Sequence, residues 1–334
     1  SMTTSQRVSV VTVTYNARDF IEDYIESLLK TDRDGMDLEI VVVDNGSADG
    51  TVDVLRDRYP DISVLENDEN NYARALNLGI RHSQGDFVVI SNNDATVDAG
   101  WLLGFLEVFE ADDRIGAAQS RIYFAGKNLI NSVGVEEVEH FYFRDIGFEE
   151  EDSGRYDAAV ERKYVTGGSV MFRRACLKDV GDWDEEFVMF MEDVDYSVRC
   201  REKGWKLWYA PRSILHHQYH GSTSHDLCEY FCTRNRFLFV AKHYPLELAS
   251  CIPSSHFFKK EEYDHLYRAL LHSVRRLYQC QDTDVVRKVL QSLRKCLPGY
   301  IGEVAAYTFF KQLEVVLGLR KVRVGIYLSL IHIS

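Results

Sequence analysis

The first ninety residues alternate between short β-branched runs and segments of helical period, and no other feature constrains the fold as tightly. Val8–Thr14 predicts a strand, and Ala17–Lys30 carries Phe20, Ile21, Tyr24, Ile25 and Leu28 at helical spacing. Leu38–Asp44 and Ile62–Leu65 predict two further strands, with helices from Thr51 to Arg58 and from Tyr72 to His82. Phe87–Ile90, four apolar residues in succession, reads as a strand buried on both faces, as central parallel strands are. Strands joined through helices lie parallel, so the pattern predicts an α/β fold with a mostly parallel, Rossmann-like central sheet. Ligands in such sheets bind just beyond the carboxyl ends of the strands. Those ends carry Thr14-Tyr15-Asn16, Asp44-Asn45-Gly46-Ser47 and Asn92-Asn93-Asp94.

Beyond this repeat the spacing predicts a helix over Gly100–Glu110 and a strand over Ile115–Ser120. Arg121–Arg162 is irregular, aromatic and acidic, and reads as a long excursion over the active face. Tyr164–Phe172 returns as a strand whose paired Gly167 and Gly168 permit close approach of a bulky group. Glu192-Asp193-Val194-Asp195 opens a helix to Lys203, then a strand over Lys206–Tyr209 precedes His216, His217 and His220. Helical spacing resumes over Tyr230–Lys242, Tyr263–Tyr278 and Asp284–Cys296, the last expected to stop before Pro298.

Several function classes lose support at this level. There is no Gly-x-Gly-x-x-Gly after the first strand and no Gly-x-x-x-x-Gly-Lys-Ser/Thr, which speaks against dinucleotide enzymes and P-loop NTPases. The net charge of −13 argues against a nucleic-acid partner. That charge is uneven: residues 1–223 hold 23 Lys+Arg against 42 Asp+Glu, while residues 224–334 hold 16 against 10. A basic last third suits an anionic lipid surface or a phosphorylated acceptor, and equally an attraction to the acidic part. The seven cysteines form no Cys-x-x-Cys pair and read as reduced thiols. No apolar run approaches the ~18 residues of a membrane span, so a cytoplasmic protein is expected. Ser1-Met2 reads as a tag remnant and, with the apolar tail from Leu328, is set apart from the fold.

Assembled in order, Val11-Thr12-Val13-Thr14-Tyr15-Asn16, Val43-Asp44-Asn45-Gly46-Ser47-Ala48-Asp49-Gly50-Thr51, Ser91-Asn92-Asn93-Asp94, Glu192-Asp193-Val194-Asp195 and His217 before Gly221-Ser222 resemble the motifs of the family 2 glycosyltransferases. The resemblance covers residues 7 to about 242 and is closest to the rhamnosyltransferase-like branch, to which Arg234-Asn235-Arg236 is also similar. It implies a GT-A catalytic domain over 3–223, a helical C-terminal region over 224–328, and an inverting transfer from a nucleotide sugar, dTDP- or UDP-linked. By resemblance Asp94 and His217 (with His216 and His220 as alternatives) hold Mn²⁺ or Mg²⁺, and Asp193 and Glu192 are the catalytic carboxylates, with Asp193 the base. Asn92 stands where many relatives have a further carboxylate, which implies weaker metal binding. Thr14, Tyr15, Asn16, Asp44, Asn45, Ser47, Arg74, Asn77 and Asn93 are the expected nucleotide contacts. A solvent-facing role is the alternative for Arg74, and Asp195 is expected to be a plain N-terminal helix charge.

The acceptor expected from this resemblance is a glycan or a polyprenyl-diphosphate-linked glycan at the inner face of the cell membrane. The C-terminal helices would pack on the catalytic domain, lie on membrane or form a homodimer contact. A sugar nucleotidylyltransferase would need a Gly-rich basic first loop, which Tyr15-Asn16-Ala17-Arg18 does not provide. A processive synthase is disfavoured by the missing spans and Gln-x-x-Arg-Trp motif, and a catalytically degenerate scaffold by the presence of Asp193 and His217.

Overall fold

In the computed structural model, which describes residues 6–218 and 224–317, the chain divides into two compact units. The first comprises residues up to Glu137 together with Phe143–Ser224; the second gathers Val138–Tyr142 with the chain from His225 onward.

The first unit is built on a ten-stranded sheet. Its opening repeat is β1 (Arg7–Thr14), α1 (Ile21–Leu29), β2 (Asp37–Asp44), α2 (Thr51–Arg58), β3 (Ser63–Glu66), α3 (Tyr72–His82) and β4 (Phe87–Ser91). β1 pairs in parallel with both β2 and β4, and β2 with β3. Then follow β5 (Ala95–Val97), α4 (Trp101–Phe109), β6 (Ile115–Phe124), β7 (Ile130–Ser132), β8 (Val135–Val138), β9 (Tyr142–Asp145), β10 (Val160–Arg162) and β11 (Ser169–Arg173). α5 (Arg174–Val180), α6 (Glu192–Glu202) and β12 (Lys206–His217) complete the unit. The strand order is β10-β12-β6-β11-β4-β1-β2-β3, with β11 antiparallel between β4 and β6.

Both faces of the sheet are covered by apolar side chains. Val8, Val10, Ile40, Val42 and Val89 pack toward α1 and α4, while Val11, Val41, Val43, Val88 and Ile90 pack toward α3 and α6. This explains why the β-branched runs lack polar alternation. α3 lies so close to the sheet that a Cβ on Gly79 would sit 2.5 Å from Val11 Cγ1.

Three expectations are corrected here. Arg121–Arg162 is not irregular: β6 runs on to Phe124, and β7, β8, β9 and β10 lie within that stretch. Arg121 organises it, donating to Asp152 and Asp157 at 2.8 Å each and to the Tyr209 hydroxyl at 3.0 Å. The returning strand begins only at Ser169, leaving Thr166-Gly167-Gly168 as loop and turn with Gly167 buried, and β12 continues past Tyr209 to His217.

The second unit is helical: α7 (His225–His243), α8 (His256–Lys259), α9 (Tyr263–Cys280), α10 (Thr283–Ile301) and α11 (Glu303–Val316). Its core includes Phe237, Leu270, Leu293 and Phe309, all fully buried. Arg236 is buried there too, donating to the carbonyls of His140 and Cys251 at 2.6 Å each. α10 runs through Pro298, against the expectation, because the proline sits in its last turn, where only one ladder bond is lost. Leu293 and Leu297 stay buried across the site, and Gly302 ends the helix at φ +89°. Among the described residues no helix is long and apolar enough to cross a membrane.

Candidate active site

The carboxyl ends of β1, β2 and β4 and the start of α6 carry the polar groups that sequence motifs single out. At the end of β2, Asp44 is buried and folds its own turn: its carboxylate accepts from the backbone of Gly46 and Ser47 at 3.1 and 2.9 Å and from the Ser47 hydroxyl at 2.5 Å. Asn16, at φ +49°, bridges the first two loops, donating its N–H to Ser47 Oγ and accepting from the Ala48 N–H. Asn45 is buried and accepts from Asn67 at 2.8 Å. Thr14 is buried with its hydroxyl unpartnered among the described residues, beside the exposed Tyr15 ring. Asn93 donates to the Val13 carbonyl at 3.0 Å and so ties the end of β4 to β1.

Two expected nucleotide contacts have their side chains bonded within the protein. Asn77 is committed to the core: its amide donates to Trp183 O (2.9 Å) and Glu185 (3.1 Å) and accepts from the Trp183 N–H (2.8 Å). A helix-face asparagine gives no sequence sign of such long-range bonds. Arg74 is half exposed and paired with Asp68 and Glu69. Asn71 caps α3 by accepting from the Arg74 N–H at 3.0 Å and reaches the Glu185 carbonyl at 2.9 Å.

Asp94 and His217 meet across the β5–β12 pairing, with Asp94 Oδ1 3.0 Å from His217 Nε2 and both side chains mostly buried. His216 points elsewhere, onto Asp98 at 2.8 Å and against the Tyr123 ring. His220 lies outside the described residues. Among those described, no group of three or more His, Cys, Asp or Glu side chains could enclose a cation alone. One carboxylate oxygen and one imidazole nitrogen 3.0 Å apart are nevertheless spaced as neighbouring ligands of an ion with bonds of ~2.1 Å. The pair fits a divalent cation whose remaining ligands come from a bound anion.

Glu192 and Asp193 begin α6, and their surroundings separate them. Glu192 is 7% exposed and its Oε2 has no hydrogen-bond partner among the described residues. Burial, reinforced by the charge of Asp193, pushes its carboxyl up to about 8. Asp193 is also raised by burial, but three donors oppose that rise: Gly167 N–H at 3.0 Å, Val194 N–H at 2.8 Å and the Thr166 hydroxyl. Hydrogen bonds to the ionised form favour it, so side-chain and backbone donors oppose the rise at Asp193, while the Glu192 Oε2 has no donor among the described residues. Asp195, expected to be a plain helix charge, is fully buried with Arg199 at 3.7 Å. The residues before this turn are strained: Val188, Phe190 and Met191 have φ of +62°, +68° and +64°. For a β-branched valine this costs on the order of 1–3 kcal/mol. It is sustained because the Val188 carbonyl accepts the first two N–H groups of α3, from Tyr72 (2.7 Å) and Ala73 (3.2 Å).

A cavity of about 190 Å³ has Asn92, Thr166, Gly168 and His217 in its wall. His217 is bonded to Asp94 and Thr166 to Asp193, so two residues of its wall reach the two acidic centres. Sequence reasoning missed two other wall residues, Asn131 and Asp145, because they lie in the stretch read as irregular. Asp145 is pushed up to about 6 by burial, opposed by the Ser132 hydroxyl, raised further by Asp193 and lowered by His217. Tyr72 was missed as well: burial and then the charges of Glu192 and Asp193 hold its hydroxyl well above the ordinary range.

Fold and site together define an α/β transferase-type domain whose functional groups collect at the carboxyl ends of its strands. The chain belongs to the glycosyl transferase family 2, whose model matches residues 9–181, and it is a glycosyltransferase with the GT-A fold. It is 27% identical over 257 residues to N-acetylglucosaminyl-diphospho-decaprenol L-rhamnosyltransferase of Mycobacterium tuberculosis, covering 69% of this chain and 82% of that one. It is 24% identical over 210 residues to poly-beta-1,6-N-acetyl-D-glucosamine synthase of Staphylococcus epidermidis, covering 62% of this chain but 48% of the synthase. Among solved structures it resembles GalNAc-T7 with UDP, GalNAc and Mn²⁺ (TM-score 0.61, 15% identity, 90% of this chain and 59% of that one). It also resembles S. aureus TarS 1–349 in complex with UDP (TM-score 0.54, 17% identity, 95% and 93%). At these identities the two structures speak for the fold alone.

Proposed function

We propose that the protein is an inverting, metal-dependent glycosyltransferase that moves a hexosyl group from a nucleoside-diphosphate sugar to a hydroxyl of a glycan or lipid-linked glycan. The observation that carries this reading is that Asp193 accepts from Gly167 N–H at 3.0 Å and from the Thr166 hydroxyl, while Thr166 lines the same cavity as His217, which is bonded to Asp94. Inversion needs a base on the face opposite the leaving group. Asp193, whose ionised form is favoured by donors from Gly167, Val194 and Thr166, accepts the proton of the acceptor hydroxyl as its oxygen attacks C1 of the sugar. The C1–oxygen bond to the diphosphate breaks in the same step, and the diphosphate leaves with the bonding pair. Burial raises the Glu192 carboxyl to about 8, so it holds its proton at neutral pH and adds no second charge beside Asp193.

Asp94 and His217 would hold Mn²⁺ or Mg²⁺, which when bound neutralises charge developing on the diphosphate. Thr14, Tyr15, Asn16, Asp44, Asn45, Ser47 and Asn93 would surround the nucleoside, with Tyr15 the exposed ring among them. Arg74 is half exposed at the start of α3, paired with Asp68 and Glu69, and is a further candidate diphosphate contact. The M. tuberculosis relative is named for a decaprenol-diphosphate-linked acceptor, and the excess of Lys and Arg over residues 224–334 suits work at an anionic cytoplasmic membrane face.

The test is thermal stability with UDP, dTDP and their sugars, with and without Mn²⁺, for the wild type and His217→Ala. A ligand that binds only the folded state raises its stability. The expected result is a Mn²⁺-dependent rise with at least one of these ligands that His217→Ala removes. A rise of equal size without the metal would contradict metal dependence.

A further inference from the structure

Drug-sized ligand sites begin at ~300 Å³, so the cavity of about 190 Å³ takes a single sugar ring rather than a nucleotide. Its wall is divided by chemistry. Ile122 and Leu215 are buried and, with Phe148, present an apolar surface to the ring's C–H face. Asn131 and Asp145 present hydrogen-bonding groups on another part of the wall.

Neither of these two side chains is consumed by the fold. Among the described residues the Asn131 amide has no hydrogen-bond partner and no Lys or Arg pairs with Asp145, whose neighbours are the Ser132 hydroxyl and the charges of Asp193 and His217. Their positions are nevertheless fixed. β7 carries Asn131 alongside β6, pairing Ser132 with Ile122 and Ile130 with Tyr123. Val133 N–H to Ile146 O (3.1 Å) and Ile146 N–H to Gly134 O (2.8 Å) bring Asp145 beside that strand. A half-buried carboxylate without a cation is costly unless polar groups satisfy it. The hydroxyls of a sugar would do so.

We propose that Asp145 and Asn131 form the edge that reads the hydroxyls of the transferred ring, and that this edge makes the enzyme select a neutral hexosyl donor over a carboxylated one. The inference rests on the assignment of Asp94, His217 and Asp193 above, which sets the transferred ring between the diphosphate and the base. A carboxylate accepts two hydroxyl hydrogen bonds, and an amide both donates and accepts. A site built to bond hydroxyls penalises a ring that lacks them. A uronosyl carboxylate would bring a second negative charge against Asp145, with Asp193 adding to the repulsion, so the edge works by exclusion as well as by attraction.

Calorimetric affinities in Mn²⁺ test this, using UDP-glucose, UDP-glucuronate, dTDP-glucose, GDP-mannose and the free diphosphates with the wild type, Asp145→Ala, Asp145→Asn and Asn131→Ala. The wild type should bind a neutral donor at least about tenfold more tightly than its carboxylated counterpart. Asp145→Ala and Asn131→Ala should weaken nucleotide sugars by about tenfold and leave the free diphosphates unchanged. Asp145→Asn, which keeps size and hydrogen bonding but drops the charge, should retain neutral donors and gain UDP-glucuronate. Equal weakening of free diphosphate and sugar by Asp145→Ala would make Asp145 merely structural and overturn the proposal. So would wild-type indifference between UDP-glucose and UDP-glucuronate, or a variant in which only the acceptor KM rises. If no diphosphate or nucleotide sugar bound the wild type, the function proposed above would fail first and this edge with it.

Discussion

Replacing Glu192 with Gln tests the division of labour in the carboxyl pair. Glu192 keeps its proton up to about pH 8 in the folded protein, whereas in the unfolded chain it releases it near 4.5. Between those values the native state binds the extra proton, so stability linked to this group is complete below about 4.5 and is lost as pH rises toward 8. At pH 7 the loss corresponds to 2.5 pH units at ~1.4 kcal/mol each, about 3 kcal/mol. Glutamine carries no such linkage. The stability gap between Glu192→Gln and wild type should therefore widen from under ~1 kcal/mol at pH 5 to about 3 kcal/mol at pH 7. For a protein of this size that is a gain of roughly 6–12 °C in Tm, as an upper bound. Differential scanning calorimetry at pH 5, 6, 7 and 8 reads it directly. Because the amide resembles the protonated acid, turnover at pH 7 should change by less than about tenfold. A pH-independent gap, or a variant less stable than wild type at pH 7, would mean that Glu192 is ionised and would refute the assignment of the proton.

Two further substitutions separate site from scaffold. Gly168→Ala adds a Cβ at ordinary contact distance, 3.5 Å from Asn92 Nδ2 and Ile122 Cδ1. It should leave Tm within the few degrees that a change below ~1 kcal/mol produces, yet raise the donor KM by filling the cavity wall. Asn77→Ala should do the reverse. Leaving the backbone groups of Trp183 unsatisfied costs roughly 2–3 kcal/mol by chemical denaturation, with donor KM unchanged.

The parallel half of the sheet was legible because its strands are buried on both faces, so local composition and tertiary environment agree over β1, β2 and β4. The stretch after Arg121 was not, because what orders it is one buried cation reaching Asp152 and Asp157, over thirty residues away in sequence. Asp145 and Asn131 were invisible for the same reason: nothing local distinguishes them from other polar residues in that stretch. Asp94, His217 and Asp193 were singled out by the resemblance of their motifs, taken in order along the chain. Their electrostatic character was not legible there, since it depends on Gly167 and Thr166 as donors to Asp193 and on the dry surroundings of Glu192. Asn77 shows the opposite failure, a polar residue at a suggestive position whose hydrogen-bonding capacity is spent on the segment that leads into α6.

The central claim, that Asp193 is the working base of a metal-assisted sugar transfer, is most directly tested by Mn²⁺-dependent turnover of nucleotide sugars by wild type and Asp193→Ala, with nucleoside diphosphate affinity measured alongside. The account predicts measurable wild-type turnover, a loss of about 10²–10⁴-fold in kcat for the variant, and diphosphate affinity unchanged. A variant that turned over donor as fast as wild type would contradict it.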